Sequence, residues 1–188
     1  TGIGKTYLAA FDSREFNRVL FVAHREEILK QAYESFANVR TDKWLSVMAD
    51  EEKLVADKEE ILEHKVNNKT TQEYEHNMGF FMNSTKETKK DIIFASVQSL
   101  GKEKYLNEKY FDKDYFDYIV VDEFHHAVSK NYQNIINYFT PKFMLGLTAT
   151  PDRLDNKDVF SICDYNTVYE ATLKTAINKG WLVPFRYY

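Results

Sequence analysis

Three short stretches of this 188-residue chain carry residue types suited to chemistry on phosphate. Thr1-Gly2-Ile3-Gly4-Lys5-Thr6 fits the last six positions of the pattern G-x-x-x-x-G-K-[ST]. A glycine-rich turn lets successive backbone N–H groups converge on an anion, and the helix that follows adds its positive end. Lys5 would supply a compact charge to the outer phosphates of ATP, and the Thr6 hydroxyl would reach Mg²⁺. Asp122-Glu123, after Tyr118-Ile119-Val120-Val121, is an acidic pair at the end of an apolar run, where nothing structural requires it. Asp122 suits a magnesium ion held through its water shell, and Glu123 suits orientation or deprotonation of an attacking water. Gly146-Leu147-Thr148-Ala149-Thr150-Pro151 ends another apolar run in two hydroxyls, placed to bond the acidic pair or a neighbouring loop. Each stretch also has a plain reading: a surface turn before a helix, a solvated strand end, and turn chemistry before proline.

These groups need elements that deliver them to one place. Arg18–Ala23, Ile92–Ala95, Tyr118–Val121 and Lys142–Leu147 are short, continuous apolar runs, the pattern of strands buried on both faces of a parallel sheet. Each closes in a polar signature. Helical spacing follows the first run (Ile28, Leu29, Ala32, Tyr33, Phe36) and the third (Tyr132, Ile135, Ile136, Phe139), with Ser129 a candidate cap. Strand, polar turn and helix recur, so the expected fold is α/β, a doubly wound, mainly parallel sheet whose carboxyl edge holds the ligand. Trp44–Met48 and Thr167–Glu170 are further strand candidates. Helix is expected over the Lys/Glu/Tyr-rich stretch before Tyr118, near 157–163, and over Thr172–Lys179 with Gly180 as its stop.

Composition narrows the function classes. No apolar run reaches the length of a membrane span. The single cysteine, Cys163, rules out an internal disulfide and suits a reducing, cytoplasmic setting. Net charge is −4, so any nucleic-acid contact must be a local patch. Asp50–Asp91 holds 11 acidic against 7 basic residues, and the whole negative excess lies there. It reads as a polar surface insertion with a small apolar knot at Met78–Met82. His125 and His126 lack zinc spacing; neighbouring histidines are expected to point apart and to serve structure or coupling. The single domain is expected to span 1–188, with an exit segment at about 181–188.

Taken in order, T-G-I-G-K-T, V-A-H-R-E-E-I-L, F-A-S-V-Q-S-L, V-V-D-E-F-H-H-A and G-L-T-A-T-P resemble the first motor domain of a superfamily 2 DEAD/DEAH-box helicase, most of all the type III restriction enzyme helicase-subunit group. The resemblance implies a three-layer RecA-like P-loop NTPase domain with helices on both sheet faces. It implies ATP and Mg as cofactors. Gly2, Ile3, Gly4, Lys5 and Thr6 would bind ATP; Lys5, Asp122 and Glu123 would be catalytic; Thr6 and Asp122 would serve the metal. His125, Thr148 and Thr150 would couple hydrolysis to strand movement. His24, Arg25, Ser96 and Gln98 would touch a nucleic-acid strand. The acidic box reads D-E-F-H, not D-E-A-D or D-E-A-H, which favours DNA over RNA. A second RecA-like domain of the same parent chain is an expected partner, and a nuclease or restriction subunit is another. The adenine-recognition segment and the first glycine of the phosphate loop would precede Thr1, so these 188 residues alone are expected to bind ATP weakly and turn it over poorly. An RNA helicase and a non-catalytic nucleic-acid-binding or docking module are the alternative readings.

Overall fold

A computed structural model describes residues 4–40, 77–149 and 159–180. Within them, a six-stranded sheet is built from β1 (Val19–Ala23), β2 (Met78–Met82), β3 (Thr85–Lys86), β4 (Ile92–Ser96), β5 (Tyr118–Asp122) and β6 (Phe143–Leu147). Its order is β3-β2-β4-β1-β5-β6. Only the two-residue β3 runs antiparallel, against β2. Helices α1 (Lys5–Asp12), α2 (Glu26–Arg40), α3 (Val97–Leu100), α4 (Lys130–Tyr138) and α5 (Leu173–Asn178) complete the regular elements.

The period-2 alternation of the central strands splits the core into two layers. Val19, Phe21, Ala23, Phe94, Tyr118 and Val120 face α1 and α2, packing on Ala9, Ala10, Leu29, Ala32, Phe36 and Val39. Leu20, Val22, Ile93, Ala95, Ile119 and Val121 face the other way, onto Val97, Leu100, Tyr132, Ile135 and Phe139 of the α3–α4 side. With helices on both faces, this is the expected three-layer α/β fold. The helix after β1 lies on one face and the helix after β5 on the other. The carboxyl ends of the adjacent strands β1 and β5 therefore flank the crevice where such sheets take their ligands.

Several sequence expectations change. Met78–Met82 is a strand of the sheet, not part of a surface decoration: it pairs in parallel with β4 and buries Met78 and Phe81. The stretch before Tyr118 is not a continuous helix; after α3 it runs through a 3₁₀ turn at Glu103–Tyr105 and further turns. Thr167–Glu170 forms no strand and leaves Val168 82% exposed. Near 157–163 the described part is a 3₁₀ turn at Phe160–Cys163. α5 ends before Gly180 at φ 72°, as the sequence suggested. Trp44–Met48, most of the acidic 50–91 stretch and the 181–188 segment lie outside the described residues.

Candidate nucleotide and nucleic-acid site

Gly4 precedes α1 in the left-handed region, at φ 79° and ψ 19°. Only a residue without Cβ adopts this freely. Its carbonyl accepts the Leu8 N–H at 2.9 Å and starts the helix, so Lys5 and Thr6 stand in the first turn with their N–H groups unused by the helix. α1 is fastened from three sides. Ala9 and Ala10 are fully buried against the sheet. The Tyr118 hydroxyl donates to Asp12. Arg40, at the end of α2, donates to the Ser13 carbonyl at 2.6 Å and the Arg14 carbonyl at 3.2 Å. The helix that presents Lys5 and Thr6 is therefore fixed to β5, the strand that carries Asp122. Gly2 and Ile3 lie outside the described residues.

At the end of β5, Asp122 is half-buried. Burial raises its carboxyl above the ordinary range, and the Glu123 carboxylate adds to the rise; the Glu123 backbone N–H, the Lys5 ammonium and His125 pull the other way. Lys5 thus lies within electrostatic reach of Asp122. Glu123 follows at φ 53° and ψ 45°, a left-handed conformation costing a non-glycine residue about 1–3 kcal/mol. The strained turn aims the Glu123 carboxylate at His125, with Oε2 3.2 Å from Nδ1. The same nitrogen lies 3.0 Å from the Thr148 hydroxyl at the end of β6. Carboxylate, imidazole and hydroxyl thus form one linked group across two adjacent strand ends. Thr150, its expected companion, lies outside the described residues. The His125 and His126 rings do not point apart: they pack at a centroid distance of 4.2 Å.

Phe124, the residue that sets this acidic box apart, is buried, and its ring fills the space above Gly146 of β6. A Cβ on Gly146 would stand 2.6 Å from the ring's Cγ and 2.7 Å from Cδ2. The phenylalanine in one motif and the glycine in another are a matched pair. Tyr132 of α4 adds a further support, its buried hydroxyl 3.3 Å from the Asp122 carbonyl.

Beside this group, at the carboxyl ends of β1 and β4, opens a cleft of about 320 Å³. Three of the four predicted nucleic-acid residues line it: His24, Ser96 and Gln98. The Gln98 amide lies 2.9 Å from His24 Nδ1 and donates to it when the ring proton sits on Nε2. Ser96 is 5% exposed and spends its hydroxyl oxygen on the Ser99 N–H, 3.2 Å away, as the cap of α3. That bond fixes Gln98 in the first turn of α3 and leaves the Ser96 O–H as a donor. Arg25 is exposed beside the cleft but does not line it.

The far wall was not foreseen from motifs. It comes from the β2–β3 turn and the loop after α3: Asn83, Lys86, Lys102 and Tyr105. Asn83, at φ 47°, donates its backbone N–H to Ser99 Oγ at 3.1 Å and its side-chain amide to Glu26. Lys86 sits over the Phe81 and Tyr105 rings, at 5.0 and 5.6 Å from their centroids. Burial lowers its pKa.

Known proteins give this geometry a context. The chain belongs to the family described as type III restriction enzyme, res subunit, whose family model matches residues 1–153. It is 30% identical over 98 residues to IRC3 of Saccharomyces cerevisiae, provisionally described as an ATP-dependent helicase; the match covers 49% of this chain and 14% of that protein. The helicase domain of Hef from Pyrococcus furiosus shares the fold with a TM-score of 0.56 at 19% identity, over 87% of this chain and 32% of that one. So does a nuclease-deletion mutant of the Type ISP restriction-modification enzyme LlaGI, solved with a DNA substrate mimic, with a TM-score of 0.55 at 15% identity over 95% of this chain and 18% of the other. The chain spans less than a third of the length of each of these relatives. Together with the six-stranded sheet, these findings identify a RecA-like domain of the superfamily 2 helicase type. Among the described residues, no helix is long and apolar enough to cross a membrane.

Proposed function

We propose that the domain is the first motor lobe of an ATP-dependent DNA helicase or translocase, and that it works with a second RecA-like lobe and a nuclease or restriction partner. The observation that carries the reading is the linked Glu123–His125–Thr148 group beside Asp122 and Lys5, adjoining a cleft lined by His24 and Gln98. The residues suit a phosphate chain and a divalent cation. Gly4 offers open space where a Cβ would stand, Lys5 heads a helix, and Asp122 is a half-buried carboxylate within reach of that lysine's field. Thr6 and Asp122 would hold Mg²⁺, whose charge would offset that of the phosphates. Lys5 and the first-turn N–H groups would bind the outer phosphates and fix their orientation. Glu123 would orient the attacking water and take its proton, while His125 holds the carboxylate in place and reports its state to Thr148. On the nucleic-acid side, contacts from His24, Arg25, Gln98 and the lysines of the far wall would run along phosphates and be largely independent of sequence.

DNA is the proposed track, because the acidic box departs from the D-E-A-D form and the chain's family takes its name from a restriction enzyme. The test is ATP hydrolysis by the intact protein with single-stranded DNA, duplex DNA or RNA. Stimulation by DNA well above that by RNA is expected. Equal or greater stimulation by RNA overturns the DNA assignment, and absence of hydrolysis under all conditions favours a docking module instead.

A further inference from the structure

The two halves of the site meet through one side chain to which the helicase resemblance assigns no role. His126 ends the 3₁₀ turn Phe124–His126, which begins at the strained Glu123, and its N–H is bonded to the Glu123 carbonyl at 2.8 Å. Its ring reaches in three directions. It packs on His125 at 4.2 Å between centroids, and His125 holds both Glu123 and Thr148. It lies 6.5 Å from the ring of Tyr132, whose hydroxyl approaches the Asp122 carbonyl. Across the crevice it lies 6.2 Å from the ring of His24, at an interplanar angle of 37°. His24 in turn bonds Gln98 on the floor of the cleft. The contacts Gln98–His24–His126–His125–Glu123 therefore run without a break from the cleft to the hydrolytic carboxylate, bridging the ends of β1 and β5.

We propose that His126 is a positioning residue, the ring through which occupancy of the nucleic-acid cleft sets the orientation of His125 and Glu123. The inference rests on the helicase reading above, because it takes His24 and Gln98 as nucleic-acid contacts. A strand laid against His24 shifts that ring. The packed His126 ring follows, and His125 turns relative to the strained Glu123 hinge. His126 itself is exposed and is not needed to fold the core. Unlike a motif residue, it need not touch ATP, water or DNA.

The experiment measures ATP hydrolysis by the intact protein at saturating ATP, without nucleic acid and with saturating single-stranded DNA, for wild type, His24→Ala, His126→Ala, His126→Phe and the His24→Ala/His126→Ala double variant. A ring contact of this size supports a coupling of about 3- to 10-fold. His126→Ala is expected to keep the basal rate and lose about 3- to 10-fold of the stimulation. His126→Phe, which keeps a ring face, is expected to recover most of it. The double variant is expected to lose no more than the worse single variant, since both act on one route. Full stimulation in His126→Ala overturns the proposal, as does a parallel fall of basal and stimulated rates, or a Phe variant no better than Ala. A wild-type protein that DNA does not stimulate refutes the helicase reading itself, a different result from a stimulated wild type with stimulated variants.

Discussion

Replacing Gly146 with alanine sets a methyl carbon 2.6, 2.7 and 3.0 Å from three atoms of the Phe124 ring. Carbon atoms rest at about 3.5–4.0 Å, so the ring must retreat by roughly 1 Å. The contact is with Cγ and its two neighbours, not with the far end of a flexible chain, so the retreat drags the backbone at residue 124. Overpacking of this kind costs about 1–3 kcal/mol. Phe124 stands between Glu123 and His125, and a displacement of that size at a reacting group costs on the order of 10²-fold in rate. Phe124→Ala, which restores the residue of the D-E-A-D and D-E-A-H boxes, opens a cavity worth about 3–5 kcal/mol. Yet in that background the alanine at 146 has nothing to strike. The Phe124→Ala/Gly146→Ala protein should be no less stable than Phe124→Ala alone, an interaction energy of about 1–3 kcal/mol in its favour. Urea unfolding of the four proteins reads the cycle, and ATP hydrolysis reads the displacement. Additive destabilisation, or a Gly146→Ala protein with wild-type stability and rate, would refute the matched-pair reasoning.

Two further predictions concern the cleft wall and the opposite end of the sheet. If Lys86 and Lys102 contact phosphates, the Lys86→Ala/Lys102→Ala protein should bind oligonucleotides more weakly whatever their sequence, with a log–log salt slope shallower by about 2; an unchanged slope in a binding titration removes both from the interface. Asp117 accepts the Arg18 N–H at 3.1 Å and pairs with Lys142 at 2.9 Å. The Lys142 contact, against a smaller opposing effect of burial, holds its carboxyl below the ordinary range. A depressed carboxyl stabilises the fold above the unfolded-state value of about 3.9 and loses that contribution as pH falls through the lower folded-state value. Asp117→Asn should therefore be less stable than wild type at pH 6, by under about 1 kcal/mol because Lys142 is well exposed, with the gap closing below about pH 4. A gap constant from pH 6 to the acid limit, in denaturant titrations, contradicts the assignment.

The strands β1, β4 and β5 were legible because strands covered on both faces are continuous apolar runs; β6 carries the same kind of run, although it lies at the edge of the described sheet and leaves Phe143 exposed. β2 was not legible. Met78-Gly79-Phe80-Phe81-Met82 is short, contains a glycine and sits in a charged stretch; its strand character comes from the edge of β4, which supplies its ladder. Charge composition then drew the surface too wide. The stretch before Tyr118 misled in the opposite sense: its lysines and glutamates suit a helix, but Tyr105, Tyr110, Phe111, Tyr115 and Phe116 all pack toward one core, more closely spaced than one helix face allows. Thr167–Glu170 has β-forming residues but, among the described residues, no strand pairs with it. In the site, Gly4, Lys5, Asp122, Glu123, His125 and Thr148 were readable because each stands at a fixed offset within a strand-end signature. Ser96 lines the cleft as its signature suggested, and its hydroxyl oxygen also caps α3, a task the motif reading did not give it. The Lys86–Lys102 wall and the His24–His126 contact were invisible: each joins residues that share no motif, the first brought together by the strand order β3-β2-β4 and the second by the pairing of β1 with β5.

The central claim is that Glu123 acts on water at a nucleotide bound by Lys5 and its helix. Its most direct measurement is the ATP turnover and ATP affinity of the intact protein carrying Glu123→Gln, an exchange that keeps size and hydrogen bonding but removes the base. The account predicts that turnover falls by about 10²–10⁴-fold while ATP still binds with near wild-type affinity. Turnover within a few-fold of wild type would contradict it.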